Sequence, residues 1–220
     1  MPDYQPTSRR PIAQMFRNTA NGATRACVKL GVHPDVISYS SIVASLMAAL
    51  MFLFSSRWTW LLLVAPVFCF LRLWLNMLDG MVALASGKAS RRGELLNELP
   101  DRASDVLVFA GVAHSGWCHE ALAYWAAIFA VLTAYVGVFG QAVGGKREYG
   151  GVMAKPWRIL VLAIAAYATF ACHLLGRSVS LTERISLFDL ACIIVIVGCV
   201  QTIWVRLASI LRGLNASAGR

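Results

Sequence analysis

Five runs of apolar residues, near 36–56, 58–75, 106–144, 157–176 and 185–209, constrain this 220-residue chain more than any other feature. A bilayer-spanning helix needs roughly 20 mainly apolar residues. The run over 106–144 is too long for one pass. It resolves if one helix runs from about Gly93 to Ser115-Gly116 and the next from about His119 to Gly144. The pattern predicts an all-α integral membrane protein with six transmembrane helices, and a hydrophobic content of 58% excludes an ordinary soluble domain.

Charge gives an independent test of the count. With the N-terminus in the cytoplasm, the inner segments hold Arg9, Arg10, Arg17, Arg25, Lys29, Lys88, Arg91, Arg92, Lys146, Arg147, Lys155, Arg158, Arg206, Arg212 and Arg220. The opposite side holds Arg57, Arg177 and Arg184. Fifteen against three is the asymmetry expected of an even number of spans, with both termini cytoplasmic. Trp58, Trp60, Trp117 and Trp157 fall near predicted helix ends, as interfacial aromatics do. The net charge of +9 is therefore a topology signal spread over separate loops, and nucleic acid is excluded as a partner.

Residues 9–30 have the spacing of an amphipathic interfacial helix. Ile12, Met15, Phe16, Thr19, Ala23, Ala26, Cys27 and Leu30 share one face, and Arg10, Gln14, Arg17, Asn18, Asn21, Arg25 and Lys29 the other. Such a helix lies on the inner leaflet and attracts anionic headgroups. Gly31 and Pro34 end it, and Asp35 or Ser38 is positioned to cap the first span. The N-terminus has no apolar signal core, so no cleaved signal peptide is expected. The organisation is a cytoplasmic N-terminus over 1–34, one membrane domain over 35–212 and a cytoplasmic tail over 213–220. The six cysteines have no metal-ligand spacing and read as small apolar residues. Asp189 reads as an outer-interface residue, and His114, His119 and His173 lie far from any acidic cluster.

That cluster is over 76–105. Five of the eleven acidic residues, Asp79, Glu94, Glu98, Asp101 and Asp105, fall there, between two apolar segments. An ionised carboxylate beside a bilayer costs several kcal/mol unless it is paired, so the cluster marks bound cations, a proton path or a polar catalytic cavity. Asn76 and Asp79 share a helix face; Asn97, Asp101 and Asp105 share a second, one turn apart each. A short linker over 85–92 lets the two helices run antiparallel with these faces opposed. Such oxygen donors suit a hard divalent cation, Mg²⁺ or Mn²⁺. Gly80 and Gly93 leave room for a ligand to approach the backbone.

At these residues the chain resembles the CDP-alcohol phosphatidyltransferase family, whose motif reads D-x-x-D-G-x-x-A-R-x8-G-x3-D-x3-D. Asp79, Gly80, Ala83, Gly93 and Asp101 align without a gap. Asn76 and Asn97 stand where the motif has aspartate, and Leu84 where it has arginine. The resemblance implies a six-helix homodimer in a bacterial inner membrane. It implies transfer of a phosphatidyl group from CDP-diacylglycerol, or another CDP-alcohol, to a small alcohol with release of CMP.

In that reading Asp79, Asn76, Asn97 and Asp101 hold the metal, and Asp101 is the general base. Glu94, Glu98 and Asp105 are candidates to restore the missing charge. Gly80, Ala83, Gly93, Lys88 and Arg91, with Arg92, lie by the nucleotide, the cations standing in for the absent arginine. Arg147, Lys155 and Arg158 are candidates for an acceptor phosphate. Three alternatives remain open on sequence: a transferase using a soluble CDP-alcohol and a lipid acceptor, a noncatalytic relative, and a cation transporter.

Overall fold

Gly31, with φ of +69°, ends helix α1 (Pro11–Lys29) in a conformation that glycine adopts without steric cost. Helix α2 (Pro34–Leu53) begins at once, with Pro34 in its first turn, where the missing N–H is no loss. Its cap is His33, whose side chain accepts from the Asp35 backbone N–H, in place of the expected Asp35 or Ser38. Ser38 is instead turned inward and buried. The computed structural model describes residues 11–88, 91–143, 147–182 and 185–218.

The remaining helices are α3 (Leu61–Ala85), α4 (Arg91–Ala113), α5 (Glu120–Ala142), α6 (Lys155–Leu174) and α7 (Leu187–Ala218). Between α6 and α7, β1 (Ser180–Thr182) and β2 (Ile185–Ser186) pair antiparallel, Ser180 opposite Ser186. Five of the helices, α2, α3, α5, α6 and α7, are long and apolar enough to cross a membrane. The chain is thus an all-helical, multi-pass membrane protein. Helix α4 has the length of a span, but its first half is charged.

Helix α1 packs on α3, α2 on α3 and α4, α5 on α4 and α7, and α6 on α3 and α7. Small residues line these contacts: Ala48, Ala65, Ala126, Ala130 and Ala166 are buried around Phe52, Leu62, Val112, Leu162, Phe188 and Val195. Close backbone approach is how membrane helices gain packing without a hydrophobic driving force between them. The α2–α4 crossing is tightest at Gly111, where a Cβ would lie 2.4 Å from the Ala49 carbonyl oxygen. Large apolar side chains such as Val43, Trp125, Ile164, Val197 and Trp204 point outward, as lipid-facing positions require.

Helix α1 corrects the predicted apolar face by a small rotation. Among its described side chains Ala20 and Thr24 are buried, with Ala23 and Cys27 packed beside Leu78 and Val82, whereas Ala26 and Leu30 are exposed. The Trp74 indole N–H donates to Thr19 Oγ1 at 3.3 Å, which fixes the α1–α3 register. The side chains of Ile12, Met15 and Phe16 lie outside the described residues.

Candidate active site

Helix α3 continues about ten residues past its apolar stretch, and this extension carries Asn76 and Asp79 on one face. Helix α4 brings Asp101 and Asp105 to the same level. Asp79 is buried and accepts a 2.6 Å hydrogen bond from Ser38 Oγ of α2. Asn76 donates from Nδ2 to Asp101 Oδ1, and Lys155, the first residue of α6, ion-pairs with Asp101 Oδ2. One motif carboxylate and one motif amide thus meet Lys155 at the junction of α3, α4 and α6, with Asp79 one turn along α3 from Asn76.

One turn deeper, Asp105 is 2% exposed and is held from two sides. Arg72 Nη2 reaches its Oδ1 at 2.7 Å, and Arg158 Nη2 reaches its Oδ2 at 2.8 Å. Arg72 also donates to the Asp101 carbonyl oxygen at 3.0 Å, tying α3 to α4 directly below the motif. A buried carboxylate between two guanidiniums has its desolvation cost offset by charge-assisted hydrogen bonds.

A cavity of about 270 Å³ opens beside Asp101. Its lining includes Arg102, Arg147, Lys155, Arg158 and Arg206, with Gly137 of α5. Arg206 is buried and aimed by two carbonyls, donating from Nε to Gly150 at 3.0 Å and from Nη1 to Thr133 at 2.5 Å. Gly137 makes room for it: a Cβ there would be 2.7 Å from Arg206 Nη1. Arg147 sits 5.4 Å from the Tyr149 ring centroid and shares the Glu98 carboxylate with Arg102. Five cations beside two acidic residues, Asp101 and Glu148, give the cavity a charge that suits an anion such as a phosphate.

The sequence-predicted residues are thus distributed as follows. Asn76, Asp101 and Lys155 converge, with Arg147 and Arg158 on the adjoining cavity, and Asp79 lies one turn along α3 from Asn76. Glu98 and Asp105 are each engaged by two arginines. Gly80 has open space beside it, since an added Cβ would meet nothing within 4 Å. Ala83 is half-buried in the last turns of α3, with Leu84 and Lys88 exposed. The side chains of Arg91, Arg92, Glu94 and Asn97, and the surroundings of Gly93, lie outside the described residues. Arg72, Arg206 and Ser38 are site residues to which the motif does not point; on sequence Arg206 counts as a topology charge and Ser38 as a helix cap. The two arginines carry a signal that was available, a lone cation in an apolar run; Ser38 has none.

The profile of the CDP-alcohol phosphatidyltransferase family matches residues 31–204, which include the whole α3–α4 junction. The chain belongs to this family. It is 29% identical to the inner membrane protein YnbA of Escherichia coli K12 over 161 residues, covering 71% of this chain and 80% of that protein. With the phosphatidylinositol phosphate synthase of Mycobacteroides abscessus it shares 28% over 159 residues, 70% of each chain. Two crystal structures of the Mycobacterium tuberculosis phosphatidylinositol phosphate synthase have the same fold. The complex with manganese and citrate gives a TM-score of 0.69 at 21% identity over 87% of this chain and 88% of that one. The complex with CDP-DAG gives 0.67 at 22% identity over 87% and 92%. Family membership makes the chain a phospholipid-synthesis transferase of the CDP-alcohol phosphatidyltransferase class.

Proposed function

We propose that this protein transfers a phosphatidyl group from CDP-diacylglycerol to a small alcohol that itself carries a phosphate, releasing CMP. The observation that carries this reading is the adjacency of Asp101 to a cavity lined by Arg147, Lys155, Arg158 and Arg206. A base next to an anion-binding pocket is what an acceptor with one hydroxyl and one phosphate needs. The several phosphatidylinositol phosphate synthases among the relatives support the acceptor class. Bound CDP-DAG in the mycobacterial enzyme supports the donor.

Asp79 and Asp101, with the amide oxygens of Asn76 and Asn97, are a hard donor set that fits Mg²⁺ or Mn²⁺. Among the described residues no three carboxylates, histidines or cysteines converge. The bound cation would supply charge neutralisation on the diphosphate as CMP leaves. The chain's own residues do the rest. Ser38 orients Asp79, and open space at Gly80 admits the nucleotide against α3. An entering acceptor phosphate competes with Asp101 for the Lys155 ammonium. That exchange frees a carboxylate oxygen of Asp101 to take the acceptor's hydroxyl proton. Arg158, braced by Asp105, and Arg206, braced by two carbonyls, hold the phosphate in place.

The wider assignment completes the reading: α4 is the sixth span, α1 lies on the inner leaflet, the termini face the cytoplasm of a bacterial inner membrane, and the protein is a homodimer. Support comes from the distribution of lysine and arginine and from the inner-membrane relative. The test is CMP release by purified protein with CDP-diacylglycerol, Mn²⁺ and paired acceptors, phosphorylated polyols against the same polyols without phosphate. Turnover is expected with the phosphorylated set, with loss of about 10²–10⁴-fold in Asp101→Asn. Equal use of both sets overturns the acceptor class, and undiminished Asp101→Asn overturns the base. No turnover with any acceptor, together with cation flux in liposomes, overturns the enzyme reading altogether.

A further inference from the structure

At the end of the bundle away from the acidic cluster, the turn between α4 and α5 is fastened to the start of α7. The Asp189 carboxylate accepts from the His119 backbone N–H at 2.7 Å and contacts His119 Nδ1 at 2.8 Å. Ser186 Oγ donates to the Trp117 carbonyl at 2.6 Å, and the Trp117 indole N–H donates to Ser55 Oγ at 3.1 Å. Within this clasp, the sulfurs of Cys118 and Cys192 touch at 3.7 Å, although the residues are 74 positions apart in sequence. Cys118 is partly accessible and Cys192 fully buried.

We infer that Cys118 and Cys192 form a disulfide that ties the α4–α5 turn to the last helix. The inference rests on the proposed orientation, which puts this end on the side away from the cytoplasm, where disulfides persist. The surrounding hydrogen bonds hold the turn against α7, and closure has to bring the two sulfurs from 3.7 Å to about 2 Å. The oxidant is a disulfide-carrying exchange partner. Cys118, the accessible member, attacks one sulfur of that disulfide as its thiolate and expels a thiolate, leaving a mixed disulfide. Cys192 then displaces the second sulfur of the partner. The two protons given up by the cysteines end on the partner, which leaves as a dithiol. The bond would fix α4, which carries Asp101, relative to α7, which carries Arg206, without touching the cavity itself.

The experiment takes the full-length protein from membranes with N-ethylmaleimide present and no reductant, and maps the non-reduced digest by mass spectrometry. Expected is a peptide pair joining Cys118 to Cys192, with intact protein two hydrogens lighter than the reduced form. A lower melting temperature is expected for that protein after reduction and for Cys192→Ser. Full alkylation of both thiols, or a mixed disulfide on Cys118 alone after treatment with oxidised glutathione, overturns the pairing. A membrane-impermeant maleimide on the Cys192→Ser variant in sealed vesicles reads the side separately. Labelling from the outer side without any linkage in the unmodified chain overturns the pairing itself. Labelling from the cytoplasmic side overturns the orientation and the inference with it. None of these readings depends on turnover, so the result is independent of the proposed reaction.

Discussion

Arg158 joins α6 to α4 through a 2.8 Å ion pair with Asp105, in a place that solvent does not reach. The second oxygen of Asp105 belongs to Arg72, so one carboxylate balances two guanidiniums from two other helices. Arg158 lines the anion cavity on its other side. Its position there is therefore set by a carboxylate one turn below the motif and by a cation from α3.

This triad gives an ordered pair of stability predictions. Asp105→Asn leaves Arg158 buried without its counter-charge and Arg72 with only its longer 3.8 Å contact to Asp101, and is expected to cost about 3–5 kcal/mol. Arg72→Met leaves the Asp105–Arg158 pair intact and is expected to cost less. Two nitrogens of Arg72, Nε and Nη1, have no partner among the described residues, so removing the guanidinium also removes a desolvation cost. Thermal unfolding of both variants in detergent checks the order.

Gly137→Ala tests the cavity without removing a charge. The new methyl would sit 2.7 Å from Arg206 Nη1 and 3.0 Å from the Glu148 carbonyl oxygen. Arg206 is expected to swing away, with the loss of a charge-assisted contact worth about 1.5–3 kcal/mol to the bound phosphate. Steady-state kinetics should report this as an acceptor KM raised by about ten-fold or more, with the KM for the CDP donor little changed.

Gly111→Ala addresses the fold rather than the site. Its Cβ would fall 2.4 Å from the Ala49 carbonyl oxygen and 2.6 Å from Ala49 Cα, backbone atoms that move only with α2. A loss of about 1–3 kcal/mol is expected, as for other overpacked contacts. The opposite change at an open position, Gly80→Ala, should leave the unfolding temperature close to that of the parent.

Ser38→Ala tests the metal assignment from outside the ligand set. Ser38 donates at 2.6 Å to Asp79 Oδ2 and touches no other motif residue in the hydrogen-bond network. Loss of such a supporting bond typically weakens a metal site by 10–100-fold. After treatment with a chelator, the variant is expected to regain CMP release only at correspondingly higher Mn²⁺, with kcat restored at saturation.

Much of the site was legible because its signal is local. The positions of Asn76, Asp79, Gly80, Gly93, Asn97 and Asp101 are fixed by helical spacing within one linear motif. Arg102 pairs with Glu98 one turn back, a contact that helical spacing also sets. Lys155 and Arg158 were chosen by charge and position, and three-dimensional packing gave them different partners, Asp101 and Asp105. Ser38 illustrates the limit. From sequence it is a helix cap, but α2 packs on α3 so that its hydroxyl meets Asp79, 41 residues away.

Sequence alone determined that this chain is a helical membrane protein of the CDP-alcohol phosphatidyltransferase family, because hydropathy, charge asymmetry and motif spacing are all written along the chain. Tertiary structure decided which charges meet. Glu98 and Asp105, free carboxylates on paper, are each held by two arginines, and Arg72 and Arg206, isolated cations in apolar runs, brace the site. The physical reason is that a charge inside a bilayer must find a partner, and for Asp105 and Arg72 that partner is on another helix. Which helix that is depends on packing through glycine and alanine contacts, whose effect no local pattern records.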